Sequence, residues 1–301
     1  VGRGGRVAIV LPNSAEFVIA VFGITRLGAI EVPINTALKG HLLAYQLADA
    51  AVRVLITSDE MFDRCAAVFD QVPSLMHALV VGESAGGSVG AVAVHSFAAV
   101  TDGATPFEQP SPPVRHSDIA AIMYTSGTTG ASKGVEVTHG HCLSFAADWL
   151  TATAYRTEDV LFSPLPLFHA LAHTLGMVPV LLVGSQMAIT PRFSASTYWD
   201  ECRRFGATVG HGIFGMVPIL LNQPPREDDR DHSVRCFYIG PSSLSDAFED
   251  RFGAVIVEVF GMTETGVVTC TPYGERRPGS CGRPNASSFE VRIGDDDDQD
   301  V

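Results

Sequence analysis

Glycine, hydroxyl and lysine side chains are concentrated in one short stretch of the sequence, "YTSGTTGASKG", which runs from Tyr124 to Gly134. Glycines let a ligand approach backbone N–H groups, hydroxyls donate hydrogen bonds, and a lysine adds positive charge; such groups together bind the phosphate oxygens of a triphosphate. The residues concerned are Thr125, Ser126, Gly127, Thr128, Thr129, Gly130 and Lys133. Lysine is rare elsewhere, since Lys39 and Lys133 are the only lysines among 20 basic residues. The stretch therefore predicts a loop that binds nucleotide phosphates.

The spacing of this loop differs from that of a Walker A motif. The Walker pattern G-x-x-x-x-G-K needs glycine where this sequence has Ser132, and it continues into a helix. Here "VEVTH" follows, an alternation of apolar and polar residues that is typical of a strand. A flexible surface turn is the simplest alternative, but such a turn seldom combines glycines, hydroxyls and a rare lysine after a buried strand.

The first part of the chain alternates between strands and helices. The strand "RVAIVLP" is followed by a helix with Asn13 or Ser14 as its N-cap and Gly28 as its stop. The alternation continues with strands at Ala29–Ile34 and Val52–Thr57 and with helices at Lys39–Ala50 and Glu60–Asp70. Residues 82–117 are rich in Gly, Ser, Pro and Ala, and we expect them to form a weakly structured connection.

From Asp118 onward the alternation resumes. It predicts the helices His141–Thr153, Leu171–Val183, Ala195–Phe205 and Leu244–Phe252, and a strand "AVIVEVF" over residues 254–260. The pattern indicates an α/β protein with stacked, mainly parallel sheets flanked by helices. We predict two α/β subdomains, residues 1–115 and residues 116–301, the second of which carries the loop.

Composition and charge exclude several classes of protein. With 301 residues, 46% apolar and 18% charged, the chain is long enough for a large core and is not disordered in bulk. A formal charge of -13 argues against nucleic acid or an anionic membrane as a partner. The six cysteines lie far apart without a C-x-x-C pair, and we expect neither a secretory leader nor an apolar run of bilayer length. We expect a cytoplasmic protein without a membrane span.

Four segments, in this order along the chain, resemble the adenylate-forming superfamily of acyl-CoA synthetases, peptide-synthetase adenylation domains and luciferases. They are the loop with its following strand, "YIGPSSLS" (Tyr238–Ser245), "FGMTE" (Phe260–Glu264) and "RRPGSCGRP" (Arg276–Pro284). The early segment from Gly5 and "DVLFSPLPLFH" (Asp159–His169) also look like this family. The segment Leu220–Arg235 is most similar to the carnitine/crotonobetaine-CoA ligase branch.

The resemblance implies a role for individual residues. The loop residues named above would cradle the phosphates of ATP, Thr263 would contact the α-phosphate, and Glu264 would hold Mg²⁺. Gly240, Pro241 and Ser242 would border the adenine, and Phe260, Gly261 and Met262 would be further ATP-binding residues. Phe260 replaces a tyrosine of the family and keeps the ability to stack. His169 would act as the gate of the acyl site, whose pocket His211 and Phe214 would line.

The activity implied by the resemblance is ATP-dependent activation of a carboxylic acid. The acid would become an acyl-adenylate, which a thiol such as CoA would convert to a thioester, and catalysis would rest on positioning and on cationic stabilisation of phosphate charge. Ser132 stands where the family usually has proline, a change expected to alter the stiffness of the loop more than its chemistry.

The resemblance stops near Ile293. Relatives continue through a ribose-binding aspartate, a hinge and a small C-terminal lid domain with an adenylation lysine, whereas no lysine follows Lys133 here. We therefore expect a large N-terminal domain without its lid, which binds ATP weakly and adenylates poorly by itself. A non-catalytic nucleotide-binding fragment is the corresponding alternative.

Three further motifs allow other hypotheses. "GESAG" (Gly82–Gly86) fits the nucleophile elbow of an α/β-hydrolase with Ser84 as nucleophile, although the elbow should open into a helix. "GHGIFG" (Gly210–Gly215) matches G-x-G-x-x-G, with acidic residues at 228–231, but its following helix is short. His169 and His173 have the spacing of a helical zinc pair without a third ligand, so packing explains them better.

Overall fold

The computed structural model describes residues 1–83, 86–102, 113–125, 131–275 and 277–300. Its strands are β1 Arg6–Val10, β2 Ile30–Pro33, β3 Val54–Ser58, β4 His77–Val81, β5 Gly87–Val89, β6 Val92–Ser96, β7 Ile119–Thr125, β8 Lys133–Thr138, β9 Val160–Ser163, β10 Gln186–Ile189, β11 Val209–His211, β12 Cys236–Tyr238, β13 Val255–Val257, β14 Val259–Met262, β15 Gly266–Cys270 and β16 Arg283–Pro284. Its α-helices are α1 Ala15–Arg26, α2 His41–Asp49, α3 Asp59–Ala66, α4 Phe97–Thr101, α5 His139–Thr153, α6 Ala170–Ala172, α7 Val178–Val183, α8 Tyr198–Phe205, α9 Met216–Leu221 and α10 Ser245–Phe252. Short 3-10 turns lie at Phe69–Gln71 and Ser242–Leu244, and a π-helical turn lies at His173–Met177.

One compact unit consists of Val1–Cys142 and Pro166–Ala170. Within its described residues the unit contains an eight-stranded sheet with the order β5-β6-β4-β3-β1-β2-β7-β8. Neighbouring strands are parallel except at the two edges, where β5 is antiparallel to β6 and β8 is antiparallel to β7. Apolar residues of the central strands and of α2 form its largest core, including Val10, Val32 and Leu47. The prediction of a mainly parallel sheet is confirmed.

Helix α1 shows how the sequence sets the ends of an element. The Ser14 hydroxyl accepts a hydrogen bond from the Phe17 backbone N–H at 3.3 Å, which makes Ser14 the N-cap. Glu16 lies in the first turn and Arg26 in the last, where each charge complements the helix dipole. Gly28 follows with a φ of +66°, a conformation that glycine adopts without strain. The predicted start and stop of this helix are confirmed.

The second compact unit consists of Leu143–Leu165 and Leu171–Val301. Its described residues form a five-stranded parallel sheet with the order β10-β9-β11-β12-β13 and a three-stranded antiparallel sheet with the order β14-β15-β16. The core contains large aromatic side chains of α5 and β12. In it, the rings of Trp149 and Tyr238 meet edge to face with centroids 5.8 Å apart.

The prediction of a weakly structured connection over 82–117 is wrong for residues 87–101. This part forms β5, β6 and α4, and β6 pairs in parallel with β4. Val92 and Val94 alternate with more accessible residues and are buried in the first core. The segment rich in Gly and Ser therefore contains a half-buried strand. Residues 84–85 and 103–112 lie outside the described part of the chain.

The units also divide at a different place from the predicted boundary at 115/116. Strands β7 and β8 belong to the first unit because β7 pairs in parallel with β2, with Glu31 opposite Ala121. These backbone hydrogen bonds join the loop-bearing strands to the sheet of the early segment.

The predicted single strand "AVIVEVF" is two strands of different sheets. β13 pairs in parallel with β12, whereas β14 pairs antiparallel with β15. Glu258 lies between them, and its backbone N–H donates to the Thr271 hydroxyl at 2.8 Å while its carbonyl accepts from the Thr271 N–H at 2.9 Å. The change of partner at Glu258 starts the hairpin that carries "FGMTE".

Within the described residues, no helix has both the length and the apolar character needed to cross a bilayer.

Candidate functional site

The glycine- and hydroxyl-rich loop connects two antiparallel strands. Thr125 is the last residue of β7, Lys133 is the first of β8, and the two are cross-strand partners. Strand β8 confirms that the loop does not open into a helix, as the sequence predicted. The loop residues Ser126, Gly127, Thr128, Thr129 and Gly130 lie outside the described residues.

Lys133 is exposed where β8 begins. It forms no ion pair with any part of the chain that the structure describes. An ammonium group with no carboxylate partner among the described residues is available to a phosphate, which fits the predicted role of Lys133.

Tyr124, which precedes Thr125, is held by helix α2. Its phenol donates to the Asp49 carboxylate at 2.6 Å, and its ring packs against the first core. Burial, together with the hydrogen bond to Asp49, raises the pKa of the Tyr124 phenol well above its ordinary value. The phenol therefore stays protonated and acts as a structural donor at the start of the loop.

Ser132, which precedes Lys133, is also bound to α2. Its hydroxyl oxygen accepts from the Gln46 side-chain amide at 2.9 Å, and its carbonyl accepts from the Tyr45 phenol at 3.1 Å. From the sequence, Ser132 was expected only to alter the stiffness of the loop, and neither Gln46 nor Tyr45 was predicted to contact it. One signal was present: Gln46 lies three residues after Leu43, on a face of α2 that is otherwise apolar and buried.

The "FGMTE" motif lies in the hairpin formed by β14 and β15. Phe260 and Met262 are 53% and 51% exposed, so the ring of Phe260 is accessible for stacking. Thr263 and Glu264 lie in the turn after Met262, where the Thr265 N–H donates to the Met262 carbonyl at 3.2 Å. The hairpin therefore presents apolar side chains on its strand and polar ones at its tip.

Close backbone contact fixes the shape of this hairpin. A Cβ added at Gly261 would lie 1.9 Å from the carbonyl oxygen of Gly266, and one added at Gly266 would lie 2.1 Å from the Phe145 ring. Gly266 also has a φ of +83°. Both positions require glycine, and together they determine where the turn with Thr263 and Glu264 begins.

Glu264 is exposed at the tip of the hairpin and forms no ion pair with the described residues. No group of three or more His, Cys, Asp or Glu side chains that could hold a metal occurs within the described ranges. A single carboxylate suits Mg²⁺, which proteins commonly bind through one or two carboxylates together with substrate phosphates and water. The donor available at Glu264 therefore fits the metal that the sequence implied.

The "GPS" segment is tied to two neighbouring loops. The Ser242 N–H donates to the Glu258 carboxylate, and the Ser242 hydroxyl accepts from the Gly279 N–H at 3.0 Å. That hydroxyl also donates to the Ser280 carbonyl at 3.3 Å. A Cβ added at Gly240 would lie 2.9 Å from the Val217 side chain. Glu258 was not among the predicted site residues, because its contact with Ser242 depends on the separation of β13 from β14.

The three predicted acyl-pocket residues lie in different surroundings. His169 is exposed and belongs to the first unit, with its backbone N–H donating to the Pro166 carbonyl at 3.0 Å. In the second unit His211 is fully buried, with its ring centroid 5.6 Å from that of Tyr238. Phe214, in the same unit, is 44% exposed. Their common role in an acyl pocket stays a prediction.

The other sequence motifs have different explanations. Ser84 lies outside the described residues, but β5 follows it, not the helix that a nucleophile elbow requires. In "GHGIFG", a Cβ at Gly212 would lie 2.1 Å from the Phe237 ring, so packing accounts for this glycine. The helix after it, α9, has 6 residues. His173 begins the π-helical turn and His169 precedes α6, so one continuous α-helix does not carry both histidines, in line with packing as the favoured explanation.

Comparison with known proteins agrees with these features. The model of the AMP-binding enzyme family matches residues 1–301. A crotonobetaine/carnitine–CoA ligase from Salmonella paratyphi C is 35% identical, over 98% of this chain and 57% of the relative. This chain therefore spans 57% of the length of that curated relative.

Solved structures give the same result. The anthranilate CoA ligase AuaEII in complex with anthranoyl-AMP matches 100% of this chain and 58% of its own with a TM-score of 0.89 and 28% identity. ATP-bound MatB from Rhodopseudomonas palustris matches with a TM-score of 0.83 and 26% identity, again over 100% of this chain and 58% of its own. The fold is that of the N-terminal part of such ligases.

Proposed function

Because the chain belongs to the AMP-binding enzyme family, we propose that it is the ATP-binding part of an acid–thiol ligase that activates a carboxylic acid. The observation that carries this proposal is the β7–β8 connection, which has a phosphate-binding sequence and ends in the exposed Lys133. Lys133 would bind phosphate oxygens together with Thr125 and the loop hydroxyls and glycines.

The second motif would act on the same substrate through its own groups. Thr263 would donate to the α-phosphate, and Phe260 would stack on the adenine. Gly240, Pro241 and Ser242 would border the base, and Gly261 and Met262 would also bind ATP. Glu264 would hold Mg²⁺, which supplies positive charge that neutralises the phosphates.

The reaction proposed for the whole protein has two steps. A carboxylate oxygen forms a bond to the α-phosphorus of ATP, the bond to the β-phosphate oxygen breaks, and pyrophosphate leaves with the electron pair. The sulfur of CoA then attacks the carbonyl carbon of the acyl-adenylate, AMP leaves, and the thiol proton passes to solvent. The chain's contribution is to position ATP and to stabilise charge on its phosphates.

A carboxylic acid as substrate and CoA as the thiol are supported by the relatives, whose names are those of CoA ligases for crotonobetaine or carnitine and for anthranilate. His169, His211 and Phe214 are the residues proposed to contact the acyl group. We also place the protein in the cytoplasm, a proposal supported by its six free cysteines, of which five are buried.

Exchange of labelled pyrophosphate into ATP tests the proposal. The whole protein, of which this chain is proposed to be the ATP-binding part, is incubated with ATP, Mg²⁺, labelled pyrophosphate and one acid at a time, including crotonobetaine, carnitine, anthranilate and a long-chain fatty acid. We expect exchange that depends on one or more of these acids and is absent without any acid. ATP binding without exchange for every acid would favour the non-catalytic nucleotide-binding alternative.

A further inference from the structure

Helix α2 contacts the polypeptide on both sides of the phosphate-binding stretch. Before it, the Tyr124 phenol donates to Asp49 at 2.6 Å. After it, Ser132 accepts from Gln46 at 2.9 Å and from Tyr45 at 3.1 Å. These partners are 75 to 87 residues apart in sequence, so the contacts are formed by tertiary folding.

Helix α2 is itself firmly held. Leu43, Ala44 and Leu47 are buried in the first core. Gln46 is only 7% exposed, so its hydrogen bond to Ser132 is shielded from competing water. The rings of Tyr45 and Tyr124 meet edge to face with centroids 6.5 Å apart. A rigid helix thus fixes the residues next to the loop.

The contact with Tyr45 acts directly on Lys133. The carbonyl of Ser132 and the N–H of Lys133 belong to one planar peptide group. A hydrogen bond to that carbonyl therefore restricts the orientation of the backbone from which the Lys133 side chain extends. The Gln46 bond restricts the same residue through its hydroxyl, a group that the family's usual proline does not have.

We propose that Tyr45, Gln46 and Ser132 are positioning residues for Lys133, so that α2 sets the affinity of the protein for a nucleoside triphosphate. This inference rests on the proposed function. Here two side-chain hydrogen bonds restrict a segment that proline would restrict through its ring. None of the three residues touches the nucleotide; each acts through the direction in which Lys133 is presented.

The test compares three single variants with a double variant. Tyr45→Phe and Ser132→Ala each remove one partner. Gln46→Leu keeps the buried volume, and because Gln46 Oε1 has no hydrogen-bond partner among the described residues, the change removes one bond only. The double variant is Gln46→Leu with Ser132→Ala. Tyr273→Phe, which loses a phenol of the second unit, is the matched control.

Two quantities are measured on the 301-residue chain: the Kd for MgATP by equilibrium dialysis, and the hydrogen-exchange protection of the Lys133 amide. We expect each single variant to raise the Kd about 3- to 10-fold, the size of one lost hydrogen bond. We also expect faster exchange at Lys133 while the β1 amides keep their protection. The Kd of the double variant should lie close to that of Ser132→Ala, because both substitutions remove the same hydrogen bond between Gln46 and Ser132. Only the small effect of Gln46 on its other surroundings should be added.

The outcomes separate this inference from the proposed function. If Lys133→Met weakens ATP binding but the three variants bind ATP like Tyr273→Phe, the positioning role is wrong and the function stands. A variant could also raise the Kd for MgATP while hydrogen exchange of the Lys133 amide stays the same or becomes slower. The positioning role would then be wrong as well, because the loss of affinity would not come from a change at Lys133. If the unaltered chain binds no ATP, the proposed function fails and this inference fails with it.

Discussion

Thr125 and Lys133 lie opposite each other on antiparallel strands β7 and β8. The two ends of the glycine- and hydroxyl-rich stretch therefore meet at one point on the edge of the first sheet. This arrangement differs from a Walker A loop, since a strand follows the lysine, and helix α2 binds the residues on both sides of the stretch.

Replacing Lys133 should weaken ATP binding without unfolding the protein. Lys133→Met removes a charge that no described carboxylate neutralises, so the fold loses little. We expect the Kd for MgATP to rise about 10- to 100-fold, the range for a hydrogen bond to a charged group. Lys39→Met, the same change at the other lysine, serves as the control and should leave the Kd unchanged. Equal effects of the two changes would contradict the assignment.

Replacing Glu264 should reduce the reaction and its dependence on metal. Glu264→Gln keeps the size of an exposed side chain but removes the negative charge proposed to hold Mg²⁺. In the whole protein we expect acid-dependent pyrophosphate exchange to fall about 100- to 1000-fold, as when one charge-stabilising group is lost. EDTA should abolish exchange by the unaltered protein. Glu227→Gln, an exposed acid of the same unit, is the control, and a similar loss there would count against Glu264.

Adding a methyl group at Gly261 should distort the "FGMTE" hairpin. The new Cβ would lie 1.9 Å from the Gly266 carbonyl oxygen, where backbone atoms must move. We expect Gly261→Ala to lower the free energy of unfolding by about 1–3 kcal/mol or more and to impair exchange. Gly23→Ala, in open space on helix α1, should instead stabilise the protein by about 0.5–1 kcal/mol. Chemical denaturation measures both, and the same sign for both would refute the steric argument.

Asp148 should make stability depend on pH. It is buried on α5, accepts a 2.8 Å hydrogen bond from the Ser288 hydroxyl, and has a carboxyl pKa raised by burial. A raised native pKa means that the ionised group destabilises the native state once the pH exceeds the unfolded pKa of about 3.9. Asp148→Asn keeps an acceptor for Ser288 and removes the charge. Its Tm should exceed that of the unaltered protein at pH 7.

Below a pH of about 4 this difference in Tm should disappear, because Asp148 is then protonated in both states. Thermal unfolding at pH 7 and at low pH measures it. If Asp148→Asn raised the Tm by the same amount at both pH values, the charge of Asp148 would not be the cause of the increase.

Much of the architecture follows from local sequence patterns. The Ser14 cap, the Gly28 stop and the strand after the loop were readable because each depends on residues close together in sequence. The region 87–101 was misread because its composition resembles a loop, although Val92 and Val94 have the alternation of a strand. Pairing of β7 with β2 was not readable, since it joins residues far apart in the chain.

The same distinction between local and long-range features applies to the candidate site. Lys133 and Glu264 could be proposed as site residues from sequence because their motifs are contiguous. The contacts of Ser132 with α2 and of Ser242 with Glu258 could not, since they depend on how distant elements pack. A buried polar residue on an apolar helix face, as at Gln46, is the kind of signal that points to such a contact.

Chemical footprinting of the two lysines tests most directly whether ATP phosphates bind at Lys133. Both Lys39 and Lys133 are exposed, so an amine-reactive reagent should modify both in the free protein, and mass spectrometry gives the extent of labelling at each. We predict that MgATP lowers labelling of Lys133 and leaves that of Lys39 unchanged. Labelling of Lys133 that stays the same at saturating MgATP would contradict the account.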